Sequence, residues 1–493
     1  MAGRQKKARS EAQEMELGTL ALENGAFETA AAAFCLAIAQ EPENAVAYGG
    51  LGLALLNQEK WSEAEACFRK TVDLEPKRAE GYNNLALVFI ETRRFAEAEA
   101  CLEVALSLAP ECAAIHNNLG LASEELGKLE EAKKYYRAAI RRDAMYAQAY
   151  YNLGNLLKKA LQLPEAEECL EQAVYLQPEY GEAHHSLATL KLLQGRFAEG
   201  WRQYDKWRMK QPTRRAQGIP RWSGETLQGR SILLYYEQGF GDTIQFVRYA
   251  PLVAALGAAV VVWLPSELGG VFDALDEKIS IHIGAVRPEQ AFDFACPLPS
   301  LPALLHEGEP TLLATPIPYA AASSALRCAW RARIDARRLP GRLKIGIVWA
   351  GNPGHHNDAN RSIPFEQFRA LLREKDVEWH SLQVGRSSDD LQDESAQDVL
   401  DWSAQLTDFS QTAAALDQLD LLIAVDSSVA HLAGAMGKPV WLLVPFLPDW
   451  RWQLKREDSY WYPSMRLFRQ EKNGDWAGVL QRVAQALKKV EIL

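Results

Sequence analysis

Residues 425–439 hold the chain's densest group of chemically active side chains, because Asp426, Ser427 and Ser428 are followed closely by His431. The apolar run before them predicts a strand, and the run after them predicts a helix. A strand that ends in Asp-Ser-Ser and enters a helix presents a carboxylate, two hydroxyls and unpaired backbone N–H groups at one point. This set suits the ribose and diphosphate of a nucleotide, with His431 as a further donor to phosphate. Alternatively, His431 is a buried histidine bonded to a backbone carbonyl.

A second group follows the apolar run at 231–236, which predicts a buried strand. Gly239 and Gly241 stand between this strand and a helical pattern, so they permit a tight turn and close approach of a ligand to the backbone. Asp242 comes next. One interpretation is that it caps a helix beginning at Thr243, since aspartate is common at that position.

The strands and helices that must position these residues are predicted to form two α/β lobes. Strands at 231–236, 260–264, 279–283 and 293–296 form the first lobe. Strands at 343–349, 379–384, 420–424 and 440–444 form the second, with a helix near 412–419. The strand at 343–349 runs into Gly351 and Asn352, and Asp408 lies near the nucleoside if the sheet order is as inferred. Trp450-Arg451-Trp452 either walls the cleft between the lobes or packs the chain's return to the first lobe.

The first 212 residues have a different organisation, because leucine recurs every 34 residues from Leu17 to Leu187. A small residue recurs at Ala30 and its equivalents, and proline closes every unit except one, where Ala144 replaces it. These columns resemble the tetratricopeptide repeat. The resemblance implies six pairs of antiparallel helices stacked as an α-solenoid with a concave groove, and we expect proline to stop each second helix.

One column of the repeats is polar: Asn84, Asn118 and Asn152 share a repeat position. An amide can donate to and accept from any peptide backbone, so the column suits an acceptor polypeptide in the groove. It is similar to the ladder in O-linked N-acetylglucosamine transferases. The alternative is that each asparagine is solvated or ties one helix to another.

The second half resembles a GT-B glycosyltransferase of the heptosyltransferase family (glycosyltransferase family 9). Residues 239–242 are similar to that family's glycine-aspartate turn, and residues 426–433 to its D-[ST]-x-x-x-H-L-A motif. The resemblance implies an inverting, metal-independent transfer with Asp242 as the base. Arg361 is the counterpart of a basic residue that assists departure of the diphosphate. The family's Lys-Arg-Trp is absent from residues 351–364, which makes heptose doubtful as the sugar.

Composition and domain order complete the expectations. A net charge of -10 argues against general nucleic-acid binding, and no apolar run is long enough to span a membrane. Seven cysteines without C-x-x-C spacing argue against a disulfide framework or a zinc site, and no cofactor is expected. We therefore predict a cytoplasmic protein with a repeat array at 9–212, a linker at 213–227, a first lobe at 228–340 and a donor-binding second lobe with a return helix at 341–493.

These features favour transfer of a sugar from a nucleotide-sugar donor to Ser or Thr hydroxyls of a protein held by the repeats. The resemblance extends to bacterial protein glycosyltransferases, including ones that modify flagellin, so a flagellin-like acceptor is among those expected. Two alternatives stay open. One is a transferase acting on a glycan or lipid-linked saccharide, with the repeats used for assembly. The other is a non-catalytic scaffold with a decayed transferase domain.

Overall fold

The computed structural model describes residues 10–209, 215–273, 275–305, 316–336, 342–355, 357–374, 376–385, 389–391 and 398–489. The basic residues before Ser10 and the predicted end of the array at Pro212 lie outside this part of the chain. The chain divides into two compact units, Met1–Ala183 and His184–Leu493.

The first unit is a solenoid of antiparallel helix pairs, as the 34-residue period predicted. Its helices are α1 (Glu11–Glu23), α2 (Phe27–Gln40), α3 (Ala45–Leu56), α4 (Trp61–Leu74), α5 (Ala79–Glu91), α6 (Phe95–Leu108), α7 (Ala113–Glu125), α8 (Leu129–Arg142), α9 (Ala147–Lys159) and α10 (Leu163–Leu176). The sixth pair, α11 (Gly181–Leu193) and α12 (Phe197–Met209), continues into the second unit.

The repeated columns form the core of the solenoid. The small residue of each pair is fully buried at Ala30, Ala64 and Ala98, and the large apolar residue of the next turn is buried at Phe34 and Phe68. A Cβ at Gly52 would lie 2.5 Å from the Phe68 ring, so the helices approach as closely as their small residues allow. Burial of these columns explains why the period is strict.

The second helix of each pair from α2 to α10 ends at the same repeat position, with or without a proline after it. Helices α2, α4, α6 and α10 end two residues before a proline, and α8 ends at the same repeat position, two residues before Ala144. The residues that follow α2 and α8, Glu41 and Asp143, have extended backbones with φ of -133° and -138°. Proline thus lies at the expected position after α2, α4, α6 and α10, and α8, the unit in which Ala144 replaces it, ends at the same position with an extended residue.

After α12, the second unit continues with a lobe built on a four-stranded parallel sheet of order β3-β2-β1-β4. Its strands are β1 (Ser231–Tyr235), β2 (Ala259–Leu264), β3 (Ile279–Ile283) and β4 (Phe294–Pro297). Its helices are α13 (Phe240–Phe246), α14 (Ala250–Ala255), α15 (Leu301–Leu305) and α16 (Ser324–Asp335). We call this part the first lobe.

The second lobe has a six-stranded parallel sheet of order β10-β9-β8-β5-β6-β7. Its strands are β5 (Leu343–Val348), β6 (Val377–Ser381), β7 (Leu400–Asp401), β8 (Leu421–Val425), β9 (Val440–Val444) and β10 (Met465–Arg469). Its helices are α17 (Asp358–Arg361), α18 (Phe365–Phe368), α19 (Phe409–Asp417), α20 (Ser428–Ala435) and α21 (Trp476–Leu487). The prediction of an α-solenoid followed by an α/β domain with two lobes is confirmed.

The last helix, α21, packs on the second lobe. Val479 and Val483 of α21 are buried in one core with Ile345, Ile423 and Leu443 of the second sheet. An apolar face matched to this sheet keeps α21 on the second lobe.

The junction after the repeats docks through its aromatic residues. Trp201 is buried, with its ring 5.1 Å from that of Trp450 and 6.0 Å from that of Phe246. Trp222 is also buried, and its backbone N–H donates to the carbonyl of Ala295. Of the helices in the described ranges, none has both the length and the apolar character needed to cross a bilayer.

Candidate active site

A cleft of about 1060 Å³ opens within the second unit. Loops that follow β1, β5, β6 and β8 line it, at residues 239–242, 350–354, 382–385 and 426–429. These loops leave the carboxyl ends of parallel strands, where ligands bind in open α/β sheets. The cleft therefore brings together the two residue groups that the sequence singled out.

The turn after β1 places Asp242 inside a helix. Helix α13 begins at Phe240 with Gly239 as its N-cap, so Asp242 lies in the first turn and not before Thr243. The interpretation of Asp242 as a cap is wrong, because the extended backbone of Gly239 starts the helix three residues earlier. A Cβ at Gly241 would lie 3.0 Å from Cδ2 of His431, so this glycine permits close packing against α20.

Arg451 joins the two lobes at the base of the cleft. Its guanidinium forms an ion pair with Asp242, donates to the side chain of Gln245, and lies 2.9 Å from Oδ1 of Asp449. Burial alone would lower the pKa of Arg451, but Asp449 and Asp242 together raise it above its ordinary value. A fixed cation thus lies between carboxylates of both lobes.

The second group surrounds the start of α20. Asp426 follows β8 directly, and Ser427 is the N-cap of α20 without a bond from its side chain. Burial, together with the charge of Asp449, raises the pKa of Asp426 to about 6. Within the described structure the buried Ser427 hydroxyl has no hydrogen-bond partner, while Ser428 begins the helix and lines the cleft. The Ser427 hydroxyl and the backbone N–H groups at the start of α20 together suit an anion.

His431 has its two ring nitrogens in different surroundings. Its Nε2 is 3.8 Å from Oδ1 of Asp426, and its Nδ1 is 2.9 Å from the hydroxyl of Tyr462. The expected backbone carbonyl partner is therefore replaced by a tyrosine. Burial, with the charges of Arg451, Arg248 and Arg361, lowers the pKa of His431 well below its usual value.

A chain of buried polar groups continues from Tyr462. Arg248 lies 4.9 Å from the ring centre of Tyr462 and 4.7 Å from that of Tyr319, whose hydroxyl donates to the carbonyl of Ile244 at 3.0 Å. Arg248 donates to Tyr319 at 3.1 Å and to the carbonyl of Trp461 at 2.9 Å. These groups connect α13 and Arg248, two residues after it, with the segment before β10.

The loop after β5 contains an ion pair between Arg361 and Asp358, 3.2 Å apart. A Cβ at Gly351 would lie 2.6 Å from Nη2 of Arg361, so glycine leaves room for the guanidinium. The Asn352 side chain accepts from the N–H of Gly354 at 2.9 Å. Gly351, Asn352 and Arg361 all line the cleft, and their expected roles toward a donor stay predictions.

Asp408 lines the same cleft as the N-cap of α19, which begins at Phe409 and not at Thr412. Its carboxylate accepts from the N–H of Gln411 at 3.0 Å and from the hydroxyl of Ser410 at 2.6 Å. Burial would raise the pKa of Asp408, but these bonds lower it overall. Its local bonds account for this aspartate without a nucleoside.

The asparagines of the first unit form ties between helices. Asn118 donates to Asn83, and Asn152 donates to Asn117, each at 2.9 Å. Asn117 donates in turn to Asn118 at 3.3 Å, and Asn84 is buried. The structure thus shows the helix-to-helix tie for Asn118 and Asn152, and each amide keeps a further N–H and lone pair for another partner.

Three residues of the cleft region escaped the sequence argument: Asp449, Arg451 as the partner of Asp242, and Tyr462. Arg451 and Asp242 are 209 positions apart, so no local spacing relates them. For Tyr462, the one indication that the sequence offered was the number of aromatic residues near it.

A smaller recess of about 560 Å³ lies beside β10 and α21, where Lys455, Arg466 and Lys489 line it with other basic residues. It contains none of the predicted site residues, and the larger cleft is therefore the candidate site.

Comparison with known proteins places the first half of the chain among helical repeat proteins. The family model described as the cilia and flagella-associated protein 70 C-terminal domain matches residues 3–190. The chain is also 27% identical to Protein FlbA of Caulobacter vibrioides over 330 residues, 61% of this chain and 54% of that protein. The chain thus spans about half the length of this curated relative.

Two solved structures match the repeat region. PilF of Pseudomonas aeruginosa is 21% identical with a TM-score of 0.36, over 41% of this chain and 93% of that chain. TTC0263 of Thermus thermophilus is 20% identical with a TM-score of 0.35, over 37% of this chain and 100% of that chain.

Proposed function

We propose that the chain is a glycosyltransferase that moves a sugar from a nucleotide-sugar donor to Ser or Thr hydroxyls of a protein bound by the repeats. The acceptor oxygen forms a bond to the anomeric carbon while the bond to the diphosphate breaks, with inversion. The acceptor proton passes to a basic side chain of the cleft, for which the resemblance names Asp242. A flagellin-like acceptor rests on the resemblance alone.

The observation that carries the proposal is the meeting of both motifs across one cleft. The turn at 239–242 comes from the first lobe and the segment at 426–431 from the second, and Arg451 bonds to Asp242 between them. A donor bound at the second lobe and an acceptor approaching the first would be held in reaction geometry by this arrangement.

Stabilisation of the departing diphosphate is assigned to three features. Arg361 and Arg451 supply positive charge, the first turn of α20 supplies backbone N–H groups, and the Ser427 hydroxyl supplies a donor that has no protein partner in the described structure. Donors already fixed in place cost little reorganisation when charge develops.

The repeats are assigned the acceptor polypeptide. Asn84, Asn118 and Asn152 supply side chains that recognise peptide backbone without regard to sequence. Replacing Asn118 and Asn152 by alanine in the full chain should weaken transfer to protein and leave donor hydrolysis unchanged. A glycan- or lipid-directed transferase would show no such separation.

Thermal unfolding of the full chain with UDP, GDP, ADP, CMP and CDP tests the donor site. A ligand at 100 times its Kd that binds the folded state alone adds about 2.7 kcal/mol of stability. We expect one nucleotide to raise Tm in the wild type and not in Asp426→Ala. Asp458→Ala is the matched control, since its side chain is 66% exposed and pairs with Arg456 outside the cleft.

One observation favours the scaffold alternative. The cleft is lined by five carboxylates, Asp242, Glu267, Asp408, Asp426 and Asp449, against two guanidiniums, both of which have carboxylate partners. A surplus of acid opposes an incoming diphosphate. If no nucleotide raises Tm, the protein-binding scaffold is the better description.

A further inference from the structure

The smaller recess beside β10 and α21 concentrates positive charge in a chain whose net charge is -10. We call it the basic recess. The acidic residues that line it are Glu457 and Glu471. Six basic residues line it: Lys455, Arg456, Arg466, Arg469, Arg482 and Lys489. The local surplus of cations is therefore opposite in sign to the charge of the whole chain.

Two of these cations have carboxylate partners. Arg482 is 2.9 Å from Glu471, and Arg456 is 2.6 Å from Asp458. Among the residues that the structure describes, the remaining four form no ion pair: Lys455, Arg466, Arg469 and Lys489. An anion in the basic recess would thus meet charge that the protein itself leaves uncompensated.

Arg469, at the end of β10, is held in place by neutral groups. Its guanidinium donates to the backbone carbonyls of Trp452, Gln453 and Arg456. These bonds fix the guanidinium without cancelling its charge, and they leave further N–H groups for another acceptor. Burial, together with the charge of Arg456, lowers the pKa of Arg469 to about 10. The side chain is still cationic near pH 7, in an unfavourable setting of the kind that functional sites contain.

Arg456 supplies a second observation. Its Nε is buried and has no hydrogen-bond partner in the described structure. Its guanidinium carbon lies 3.7 Å from the ring centre of Tyr460. A buried N–H without an acceptor is unfavourable, and a ligand oxygen is an acceptor of the kind that the protein does not provide there.

The walls of the basic recess are tied to one another. The N–H of Leu467 donates to the carbonyl of Glu457 at 2.7 Å, which joins the segment 454–457 to β10. Arg482 of α21 donates to the carbonyl of Arg469. Because these elements are already fixed, little order remains to be imposed when a ligand binds.

We propose that the basic recess binds a small polyphosphate, a ligand that carries linked phosphate groups. Its volume of about 560 Å³ lies within the range of small-molecule sites, about 300–1,000 Å³. Linked phosphates place several negative charges in such a space, whereas the same number of carboxylates would need more room. The planar guanidiniums of Arg466 and Arg469 suit phosphate oxygens.

The basic recess is separate from the cleft of the candidate active site. The residues that line the two cavities are different throughout. The polyphosphate site therefore goes beyond the proposed transferase and does not depend on it.

Isothermal titration calorimetry of the full chain with inorganic triphosphate, in a metal-free buffer, tests the site. The test variant combines Lys455→Ala with Lys489→Ala, two exposed lysines whose loss should not disturb folding. The matched control combines Lys472→Ala with Lys488→Ala, exposed lysines of the same lobe that do not line the recess. Both variants remove the same charge.

We expect saturable binding in the wild type and in the control, and binding weaker by about tenfold or more in the test variant, since each lysine makes a charge-assisted contact. Equal weakening in both variants would mean attraction by net charge alone and would overturn the proposal. Failure of the wild type to bind triphosphate would also overturn it.

Three further titrations exclude other sites and ligands. Arg361→Ala should bind triphosphate as the wild type does, and a greater loss there than in the lysine variant would place binding in the cleft. Inorganic phosphate should bind more weakly than triphosphate, and equal affinity would refute a site for linked phosphates. A short polyglutamate peptide should also bind more weakly, and tighter binding that depends on Lys455 and Lys489 would indicate a protein-binding surface instead.

Lysine acetylation followed by mass spectrometry locates the ligand in the unmodified wild type. Triphosphate should protect Lys455 and Lys489 and leave Lys472 and Lys488 as reactive as before. Equal protection of all four lysines, or of none, would contradict the assignment. No nucleotide enters these assays, so their results stand whether or not the chain transfers a sugar.

Discussion

Asp426→Asn should stabilise the second unit at neutral pH, although it alters the candidate site. Burial and Asp449 raise the pKa of Asp426 from 3.8 to about 6. That rise corresponds to about 3 kcal/mol of unfavourable free energy for the ionised carboxylate in the folded state. Asparagine has nearly the same shape and carries no charge, so it removes this penalty.

The sign of the pH dependence follows from proton binding. Between pH 3.8 and about 6 the folded chain holds a proton on Asp426 that the unfolded chain releases. The free energy of unfolding therefore falls as the pH rises through this window and stays reduced above it. The gain from Asp426→Asn should be about 1 kcal/mol at pH 4.5 and about 3 kcal/mol at pH 8.

Urea unfolding followed by tryptophan fluorescence measures this gain, because every tryptophan except Trp61 lies in the second unit. Asp408→Asn is the matched control with the opposite sign. Bonds to Ser410 and Gln411 hold the pKa of Asp408 below its ordinary value, so its charge stabilises the fold at high pH. The control should lose stability at pH 8 and lose less at pH 4.

Two results would refute this reasoning. Asp426→Asn could be less stable than the wild type at pH 8, which would mean that the carboxylate is stabilised by its arginine neighbours more than it is penalised by burial. Its gain could also be equal at pH 4.5 and pH 8, which would mean that ionisation of Asp426 is not the cause.

Four further predictions concern other parts of the chain. Gly434→Ala places a Cβ 2.5 Å from the Tyr462 ring, and overpacking of this kind should lower the unfolding free energy of the second unit by about 1–3 kcal/mol in the same urea assay. Asn117→Ala removes the acceptor of Asn152 and should cost the solenoid about 1 kcal/mol, measured by circular dichroism in urea. Burial raises the pKa of Cys67 to about 11, so a thiol reagent at pH 8 should modify exposed Cys328 first, as mass spectrometry would show. EDTA should leave any nucleotide-induced rise in Tm unchanged, and its loss on chelation would contradict metal independence.

The sequence predicted what repeats or alternates and missed what depends on distant contacts. The 34-residue columns located the helix pairs of the first unit, and apolar runs located β1, β5, β8 and β9 within two residues. The two-residue strand β7 was missed because it is too short for an alternating pattern. Helix starts were missed where the cap lay upstream, as at Gly239 for α13 and Asp408 for α19.

Within the candidate site the same division holds. Local spacing brought out Gly241, Asp242, Asp426 and His431, because glycine turns and strand ends have recognisable neighbours. It could not pair Asp242 with Arg451, which lies 209 positions away and contacts it only after both lobes have formed. A polar residue whose partner comes from another lobe has no periodic signature.

The ion pair between Asp242 and Arg451 bears on the role of Asp242 in the candidate site. Alone, the turn at 239–242 offers Asp242 as the available base. In the structure that carboxylate is ion-paired with Arg451, while Nε2 of His431 lies 3.8 Å from Oδ1 of Asp426 and Nδ1 lies 2.9 Å from the hydroxyl of Tyr462. Burial and the charge of Asp449 raise the pKa of Asp426, and a destabilised buried acid is a common signature of functional sites. Greater stability of Asp426→Asn combined with loss of turnover would link the destabilised carboxylate of Asp426 to the function of the site.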